Sequence, residues 1–589
     1  MSIIDYRLAI IDFQFVDSDN EAQSRKQEVG SWKLEARSWK DSRPNLKGRK
    51  AITFFLGEGD ECEGISRQNT KHRTQNTEHR TQNTKHKTQN TKHIPMKALI
   101  IGTGLGAMTT AMRLASRGYH VEMVEKYHQP GGRLNQLKKD GFTFDLGPTF
   151  FSMTYEFDEF IKDVGLKQMP FTFRELDVLY TVNFRGEDKR YMIYRDLDRL
   201  AKEFEEVEPN FREKMEKFLA GAARFFHDTE YLVLKRNYDS LFDYLLTLLR
   251  VPIRHSPKLL RSVWSEMERH FESREVKEIF SLVAFFLGAT PFDTPAIYTI
   301  LSYTELVHDG YHNVVGGMYK IVEGLKKELD KAGVVMHFNT EIVDYRYEGK
   351  KLTAMVDQNG KTWEADLFVV NADAAWFRHK IFKRKKFSEP KMDKLKWTLA
   401  PFTMYLGLDT KLKDTPLHNY FLGDNFKEYS GKIFKNAIKL DQPYYYVNVV
   451  SKSDPESAPE GCESLFILCP VPDMRNKPDW SDRDQVAQNI INDVSDRIGV
   501  DLRKHIISQT VMTPVEWGEA FNLYKGSGLG LGHDLDQIGG FRPKNYDEVY
   551  GNVFYVGAST LPGTGLPMAV ISSKLVVERI TKKYGSLHS

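Results

Sequence analysis

Apolar and polar positions alternate in a way that predicts a strand–helix–strand unit near residue 100. Lys97–Ile101 has the apolar pattern of a short buried strand, and Met108–Arg117 has that of a helix. A second apolar strand, Tyr119–Val124, follows the helix and is followed by Glu125. Between the first strand and the helix stands a glycine loop, GTGLGA, at residues 102–107. This order of elements, with an acidic residue after the second strand, is typical of a dinucleotide-binding unit.

Each part of this unit has a physical task in binding a nucleotide. Gly102 permits the tight turn, and Gly104 lets the backbone approach a pyrophosphate. The helix N-terminus offers free N–H groups and the positive end of its dipole to the phosphates. Glu125 can accept hydrogen bonds from ribose hydroxyls, and Ala107 is a tolerated variant of the third glycine. A glycine turn that only packs a helix is the alternative, but it does not explain the placement of Glu125.

Two further glycine-rich segments extend this prediction. Gly131-Gly132-Arg133 lets a second backbone segment approach the dinucleotide, and Arg133 adds a cation near the phosphates unless it is a surface residue. Later in the chain, the strand Asn552–Val556 leads through a glycine loop into a helical run, Met568–Ile580. A helix N-terminus there can stabilise the negative charge that a flavin gains when it accepts hydride. A third strand, Leu367–Val370, completes one nucleotide domain assembled from three separated stretches.

These segments resemble the FAD-containing phytoene desaturase family of bacterial type, which includes carotenoid desaturases and isomerases. The resemblance covers residues 96–580 and rests on GTGLGA (102–107) with Glu125, PGGR (130–133), FDLGPT (144–149), VVGGM (314–318), VVNADA (369–374), RPKN (542–545) and VGASTLPGTGLP (556–567). The sequence departs from the family at Ala107 and at Leu561, where relatives often carry histidine.

The resemblance implies an α/β fold: a doubly wound FAD-binding domain of the glutathione-reductase-like Rossmann type, assembled from three chain segments, with an inserted mixed α+β substrate domain. Residues 96–170, 311–380 and 511–589 would form the FAD-binding domain. Residues 171–310 would be a helical part that faces substrate and membrane, and residues 381–510 the second part of the substrate domain. The residues expected to bind FAD are Gly102, Thr103, Gly104, Leu105, Gly106, Glu125, Lys126, Gly132, Arg133, Gly147, Pro148, Thr149, Ile342, Gly557, Gly565, Leu566, Pro567 and Met568.

The resemblance also implies the chemistry. Members of the family use non-covalent FAD to remove hydrogen from a long isoprenoid in carotenoid biosynthesis, with hydride passing to flavin N5 and a neighbouring C–H losing a proton. The implied substrate is a C40 precursor, phytoene, and electrons would pass to a quinone or oxygen because no second dinucleotide fingerprint is visible. The alternatives are a carotenoid isomerase, a later-pathway carotenoid desaturase or a carotenoid oxygenase of the same fold. A non-enzymatic prenyl-protein-binding module of the GDP-dissociation-inhibitor type is also open, although Glu125, Gly132 and Arg133 speak against it.

A substrate without polar groups has to be held by the shape of an apolar tunnel. Aromatic residues between the nucleotide-binding stretches can line such a tunnel or be ordinary core: Phe150, Phe151, Phe285, Phe286, Tyr298, Tyr303, Phe402, Tyr405, Tyr444, Tyr445 and Tyr446. His308, Asp309 and His312 are candidates for a proton acceptor, with a solvated loop as the alternative. No catalytic residue is assigned, and no metal site is expected.

A carotenoid precursor dissolves in lipid, so we expect the enzyme at a membrane surface. Residues 241–261 (LFDYLLTLLRVPIRHSPKLLR) combine leucine, phenylalanine and isoleucine with arginine and lysine, which is typical of interfacial amphipathic segments. A domain-packing helix with a solvated basic face is the alternative. No apolar run approaches the roughly 20 residues of a membrane-spanning helix, so the association is predicted to be peripheral.

Composition narrows the class of partner and compartment. A formal net charge of +3 gives no reason to expect nucleic acid as a partner. The cysteines Cys62, Cys462 and Cys469 form no CxxC pair and indicate a reducing cytoplasm.

The first 95 residues differ from the rest of the chain. From Gln68 to His93 the sequence repeats every seven residues without an apolar position, so a coiled-coil seam is excluded and disorder is expected. Metal binding by the repeated histidines His72, His79, His86 and His93 is an alternative that lacks a fixed geometry. We expect Met96 to be the native start, with the repeat arising from a translated DNA repeat.

Overall fold

The computed structural model describes residues 96–435 and 442–587, so the predictions for residues 1–95 lie outside the described residues. In chain order the strands are β1 (Lys97–Ile101), β2 (His120–Val124), β3 (Gln136–Lys139), β4 (Phe142–Asp145), β5 (Phe173–Glu175), β6 (Val178–Phe184), β7 (Arg190–Tyr194), β8 (His312–Val314), β9 (Val335–His337), β10 (Ile342–Glu348), β11 (Lys351–Asp357), β12 (Thr362–Glu364), β13 (Leu367–Val370), β14 (Ala400–Leu408), β15 (His418–Leu422), β16 (Tyr445–Val449), β17 (Glu463–Val471), β18 (Ile506–Met512) and β19 (Val553–Tyr555).

The described residues also form α-helices. In chain order they are α1 (Leu105–Ala115), α2 (Tyr155–Asp163), α3 (Leu197–Phe204), α4 (Phe211–Thr229), α5 (Leu241–Leu248), α6 (Ser256–Leu260), α7 (Val263–His270), α8 (Arg274–Ser281), α9 (Val283–Phe286), α10 (Ile300–Tyr303), α11 (Lys320–Lys331), α12 (Ala374–Lys380), α13 (Glu389–Met392), α14 (Phe426–Lys432), α15 (Arg483–Ile498), α16 (Pro514–Phe521) and α17 (Leu566–Tyr584).

A five-stranded parallel sheet, in the order β19-β13-β1-β2-β9, forms the centre of the first domain. Alternate residues of β1 face opposite sides: Ala98 and Ile100 pack with α1, α11 and α17, whereas Leu99 packs with α12 and the small sheet β10-β11-β12. Helices on both faces explain why the strands are apolar throughout. The strands of this sheet come from three distant stretches of the chain: β1 and β2 from the first, β9 and β13 from the second, and β19 from the third. The predicted doubly wound domain is therefore confirmed.

A seven-stranded mixed sheet, in the order β18-β14-β17-β16-β15-β6-β7, forms the inserted part. Its pairs are antiparallel except for β15 with β6. Side chains alternate along β16: Tyr445 packs toward α15, whereas Tyr446 packs toward β4 of the other part. The sequence predicted residues 171–310 to be helical, but they also supply β6 and β7 to this sheet. In β6 the apolar residues Tyr180, Val182 and Phe184 alternate with Thr181 and Asn183, a strand pattern that the prediction of a helical part did not take into account.

Candidate functional site

One cavity of about 660 Å³ brings the predicted residues together. Every residue expected to bind FAD lines it, from the first stretch (Gly104) through the second (Ile342) to the third (Gly565). Gly102, Glu125 and Gly557 follow the carboxyl ends of parallel strands, the usual place for a ligand in this kind of sheet. Their contact with a nucleotide stays a prediction, whereas their convergence on one cavity is a property of the fold.

The glycine loop packs closely against neighbouring segments at positions where a side chain would collide with them. Gly104 is the N-cap of α1 and forms a parallel bridge with Gly131. A Cβ on Gly104 would lie 2.6 Å from Asn371 Oδ1, and a Cβ on Gly132 would lie 3.2 Å from the Gly104 Cα. Since no side chain caps α1, its first N–H groups face the cavity and can bind an anionic phosphate.

The carboxylate of Glu125 is held in place at the end of β2. Its Oε2 accepts hydrogen bonds from the Thr103 backbone N–H at 2.9 Å and from the Thr103 hydroxyl at 2.7 Å. Its Oε1 accepts the Tyr127 N–H at 3.1 Å. A carboxylate fixed in this way at the cavity wall fits the ribose-binding role that the sequence predicts.

Two basic residues, Lys126 and Arg133, line the cavity and differ in their hydrogen-bond partners. Lys126 donates to the Glu519 carbonyl at 3.1 Å and to Asn522 Oδ1 at 3.3 Å, so its ammonium group is already bound to the end of α16. Arg133 donates to the Gly528 carbonyl at 2.7 Å and forms no ion pair with a carboxylate among the described residues. Burial lowers the pKa of Arg133, and Asp373 partly offsets that shift. A half-buried guanidinium group that forms no direct ion pair in the described part of the chain fits the phosphates of FAD.

Asn371 connects all three stretches, and the sequence analysis did not single it out. It follows β13, its Nδ2 donates to the Val556 carbonyl at 2.9 Å, and its Oδ1 abuts Gly104. The VVNADA motif contained this residue, but the motif alone does not reveal that its side chain supports the glycine loop.

A second helix N-terminus reaches the cavity at α17. Gly565 is its N-cap with φ +135°, no side chain caps it, and no acidic residue lies in its first turn. Leu566 and Met568 line the cavity there. The positive end of this helix is therefore free to face the negative charge of a reduced flavin ring.

Aromatic and aliphatic residues line the rest of the cavity. Among the predicted aromatics, those that line it are Phe150, Phe151, Phe285, Phe286, Tyr444, Tyr445 and Tyr446. The remaining four are core residues: Tyr298 packs on His533, Tyr303 on Phe226, Phe402 stacks on Trp480, and Tyr405 donates to the Leu146 carbonyl. Lining residues that the sequence analysis missed include Tyr311, Tyr420 and Phe466, because aromatic residues of tunnel and core look alike in a sequence.

The predicted proton-acceptor candidates lie away from this wall. Asp309 accepts hydrogen bonds from the Thr154 N–H at 2.7 Å and the Thr154 hydroxyl at 2.8 Å. The His308 ring packs on Tyr155 with 5.0 Å between centroids, and His312 belongs to β8. None of the three is among the cavity-lining residues in the described part of the chain.

Comparisons with known proteins agree with this geometry. The family model "Flavin containing amine oxidoreductase" matches residues 108–581. A zeta-carotene-forming phytoene desaturase of Myxococcus xanthus is 33% identical over 488 residues, covering 82% of this chain and 93% of the relative. A 4,4'-diapophytoene desaturase of Staphylococcus aureus is 30% identical over 501 residues, covering 83% and 99%.

A solved structure supports the fold alone. Cyclohexylamine oxidase from Brevibacterium oxydans superimposes with a TM-score of 0.52 at 11% identity, covering 83% of this chain and 99% of that chain. Together, the family match and the relatives favour an enzyme over the non-enzymatic prenyl-protein-binding module. The chain belongs to the flavin-containing amine oxidoreductase family and, within it, to the carotenoid desaturases, and it is an FAD-dependent oxidoreductase.

Proposed function

We propose that this enzyme desaturates phytoene, a C40 carotenoid precursor, in carotenoid biosynthesis. The observation that carries the proposal is that all charged residues of the cavity lining lie on one side of the cavity. Its charged lining residues in the described part of the chain are Glu125, Lys126, Arg133, Glu341 and Asp373, and all lie in the stretches that build the parallel-sheet domain. The residues lining it from 171–310 and 381–510 are uncharged. Such a wall binds a long hydrocarbon by shape.

The proposal assigns roles to this chain's residues around the cofactor. When bound, FAD accepts a hydride from the substrate at N5 of its isoalloxazine ring. Glu125 would hold the ribose, and Arg133 with the N-terminus of α1 would hold the phosphates. The N-terminus of α17 would stabilise the negative charge that develops on the ring. The aromatic wall would exclude water and orient the alkyl chain.

The uncharged wall argues against an amine substrate. An alkylammonium ion buried without a carboxylate partner is strongly disfavoured, because desolvation of a charge is costly. The described residues place no carboxylate on the wall of the inserted part. The structural likeness to cyclohexylamine oxidase therefore extends to the fold and is not proposed to extend to the substrate.

Expression in a phytoene-accumulating host tests the proposal. Chromatography of the extracted pigments should show phytoene replaced by carotenoids with more conjugated double bonds. A parallel host that accumulates 4,4'-diapophytoene distinguishes the C40 from the C30 substrate. Unchanged phytoene beside folded, flavin-loaded enzyme would refute the proposed substrate.

The same pigments separate the alternatives. An isomerase changes bond geometry without adding double bonds, an oxygenase adds oxygen, and a later-pathway desaturase acts only on carotenoids that are already partly desaturated. The proposal includes a quinone or oxygen as the electron acceptor. Anaerobic assays with and without a quinone should restore turnover only when one of these acceptors is present.

We also propose that residues 241–261 contact a membrane surface. They do not form one helix: α5 ends at Leu248, a 3-10 turn covers Ile253–His255, and α6 follows. Their apolar side chains nevertheless point to solvent, as shown by the exposed Phe242, Leu246, Leu249, Ile253 and Leu260.

Charge and position support this contact. Arg250 and Arg254 flank the exposed apolar side chains, a combination suited to anionic lipid, although Arg254 also pairs with Asp228. Lys258 and Arg261 are held by Glu266 instead. Leu241 and Leu248 pack in one cluster with Met568, which also lines the cavity. Among the described helices, none combines the length and apolar composition needed to cross a membrane.

A further inference from the structure

A chain of hydrogen-bonded polar side chains leads out of the uncharged wall. Thr149 and Tyr446 both line the cavity, and their hydroxyl oxygens are 2.7 Å apart. The Tyr446 hydroxyl lies 2.6 Å from Nδ1 of His418. His418 is 1% exposed and lies behind the wall. The chain thus connects the substrate cavity to a buried imidazole.

The direction of these hydrogen bonds follows from Asn448. Its Nδ2 donates to the Leu417 carbonyl at 3.0 Å, which fixes the orientation of the amide. The same Nδ2 lies 3.1 Å from Nδ1 of His418, so Nδ1 has to be the unprotonated ring nitrogen. Tyr446, at 2.6 Å, then donates to Nδ1 as the main donor and shares the single lone pair of that nitrogen with the longer contact from Asn448, and Thr149 donates to Tyr446. Every hydrogen in the chain points from the cavity toward the imidazole.

The surroundings of His418 keep the ring neutral. Burial lowers the pKa of His418 to about 3. Phe150 packs edge-on against the ring at 4.7 Å, and Nε2 has no hydrogen-bond partner among the described residues. A buried donor without a partner lowers stability, so packing alone does not explain a histidine at this position.

We propose that Tyr446 takes the proton released in the desaturation and passes its own hydroxyl proton to Nδ1 of His418. This inference rests on the proposed function. The C–H bond beside the carbon that loses hydride breaks, its electron pair forms the new C=C bond, and its proton goes to Tyr446 Oη. The hydride and its two electrons go to FAD, which is the oxidant.

His418 acts through Tyr446 and holds the proton until the turnover is complete. A carbon chain that has lost hydride is a far stronger acid than an imidazolium ion, so a histidine with a low pKa is a sufficient acceptor. The neutral wall at the start of the reaction gains one positive charge, which lies on the imidazole between the rings of Phe150 and Tyr446.

Stopped-flow reduction of the FAD-loaded enzyme tests the relay, with phytoene in phosphatidylcholine vesicles and without oxygen. Tyr446→Phe removes only the hydroxyl and should slow flavin reduction by about 100-fold or more. His418→Asn keeps an acceptor oxygen near the place of Nδ1 but cannot accept a proton, and it should be slowed to a similar extent. The wild type should react more slowly in D₂O, and Tyr446→Phe should lose that isotope effect.

A matched control shows whether a missing hydroxyl is damaging in itself. Tyr429 is buried and stacks on Tyr444 at 3.8 Å, but it is not part of the cavity lining or the relay. Tyr429→Phe should react at the wild-type rate. Equal FAD content and equal circular dichroism of all variants would show that each one folds.

NMR of the protein with ¹⁵N-labelled histidine gives a readout independent of turnover. A signal that disappears in His418→Asn should report a neutral ring protonated at Nε2, and it should shift in Tyr446→Phe. A ring protonated at Nδ1, or wild-type reduction rates in either variant, would overturn the relay. If the wild type shows the expected ring state but phytoene never reduces its flavin, the proposed function fails and the relay's role fails with it.

Discussion

The parallel-sheet domain and the inserted part share one cavity but build their walls by opposite means. The parallel-sheet side presents glycine backbone, two helix N-termini and charged side chains such as Glu125 and Arg133. The inserted side presents rings and aliphatic groups, among them Phe286, Tyr311 and Tyr420. The first wall suits a charged cofactor that is the same in every turnover, and the second suits a flexible hydrocarbon.

The difference lies in how many residue types can do each task. The parallel-sheet side needs glycine at set positions: a Cβ at Gly104 would lie 2.6 Å from Asn371 Oδ1, so no other residue fits there without displacing that side chain. An apolar wall needs volume and the absence of charge, which many residues supply. One half of the cavity is therefore constrained residue by residue, and the other only by overall shape.

A charge placed in the inserted wall should give the largest effect. Phe286→Asp puts a carboxylate where hydrocarbon is expected to bind, so turnover of phytoene should fall by about 1,000-fold, roughly 4 kcal/mol. Flavin absorbance should remain, because Phe286 lies in the inserted part and not in the nucleotide stretches. Phe286→Leu is the control and should keep most of the activity. Loss of flavin in Phe286→Asp would show that the two walls are not independent.

The inserted part contains a buried carboxyl group, Glu305, whose protonation state can be tested through the pH dependence of stability. This residue is 1% exposed, and burial raises the pKa of Glu305 to about 8, while hydrogen bonds from Tyr180 and Tyr311 oppose the rise. The folded state therefore keeps a proton that the unfolded chain releases near its ordinary pKa of 4.5. Stability is fully present below that value and is lost as the pH rises through the folded pKa.

Denaturant unfolding of wild type and Glu305→Gln measures this effect. Between about pH 5 and about pH 9, the wild type should lose about 2–4 kcal/mol of unfolding free energy relative to Glu305→Gln. The amide cannot titrate, so subtraction of the two curves removes the contribution of all other groups. Parallel curves would mean that Glu305 is ionised in the folded protein.

On the other side of the cavity, Gly104→Ala should weaken FAD binding by about 10- to 100-fold. The added methyl group collides with Asn371 Oδ1 and has to displace a backbone segment or that side chain, which costs about 1–3 kcal/mol. Titration of the flavin-free protein with FAD measures the change. Gly221→Ala is the control: Gly221 lies inside α4 with nothing near its Cβ position, so this variant should bind FAD normally.

The smallest effect is expected outside both walls, on the exposed face of α5. Phe242 is 68% exposed, and Phe242→Ser should weaken sedimentation with anionic vesicles by about tenfold. Ile507→Ser removes an apolar side chain that is 54% exposed on β18 and should leave vesicle binding unchanged. An equal loss in both variants would mean that binding depends on overall surface hydrophobicity.

Sequence reasoning succeeded where chemistry restricts the residue type. The glycine loops, Glu125 and Arg133 were predicted because phosphate and ribose need them at set spacings, and all line the cavity. The three-stretch domain was predicted for the same reason. The strands β6 and β7 were missed because the segment was assigned as a whole to a helical part, although Thr181 and Asn183 alternate with apolar residues in β6. The break after Leu248 was missed although Pro252 and Pro257 are incompatible with one continuous helix through residues 241–261.

The inserted wall could not be read from the sequence in this detail. Tyr446 was predicted to lie in the tunnel, whereas Tyr420 and His418 were not considered, although β15 and β16 pair side by side. Pairing partners of an antiparallel sheet are set by register and leave no motif. The contact between Asn371 and Gly104 is likewise a product of the folded chain.

The position of Asn371 beneath Gly104, held by the Val556 carbonyl, has a consequence for biogenesis. The support of the glycine loop is incomplete until β19 has paired with β13 and α17 has packed on α1. During translation the ribosome therefore has to pass residue 584 before the pocket can close on its prosthetic group. Capture of the vitamin-derived cofactor should thus follow synthesis of the third stretch.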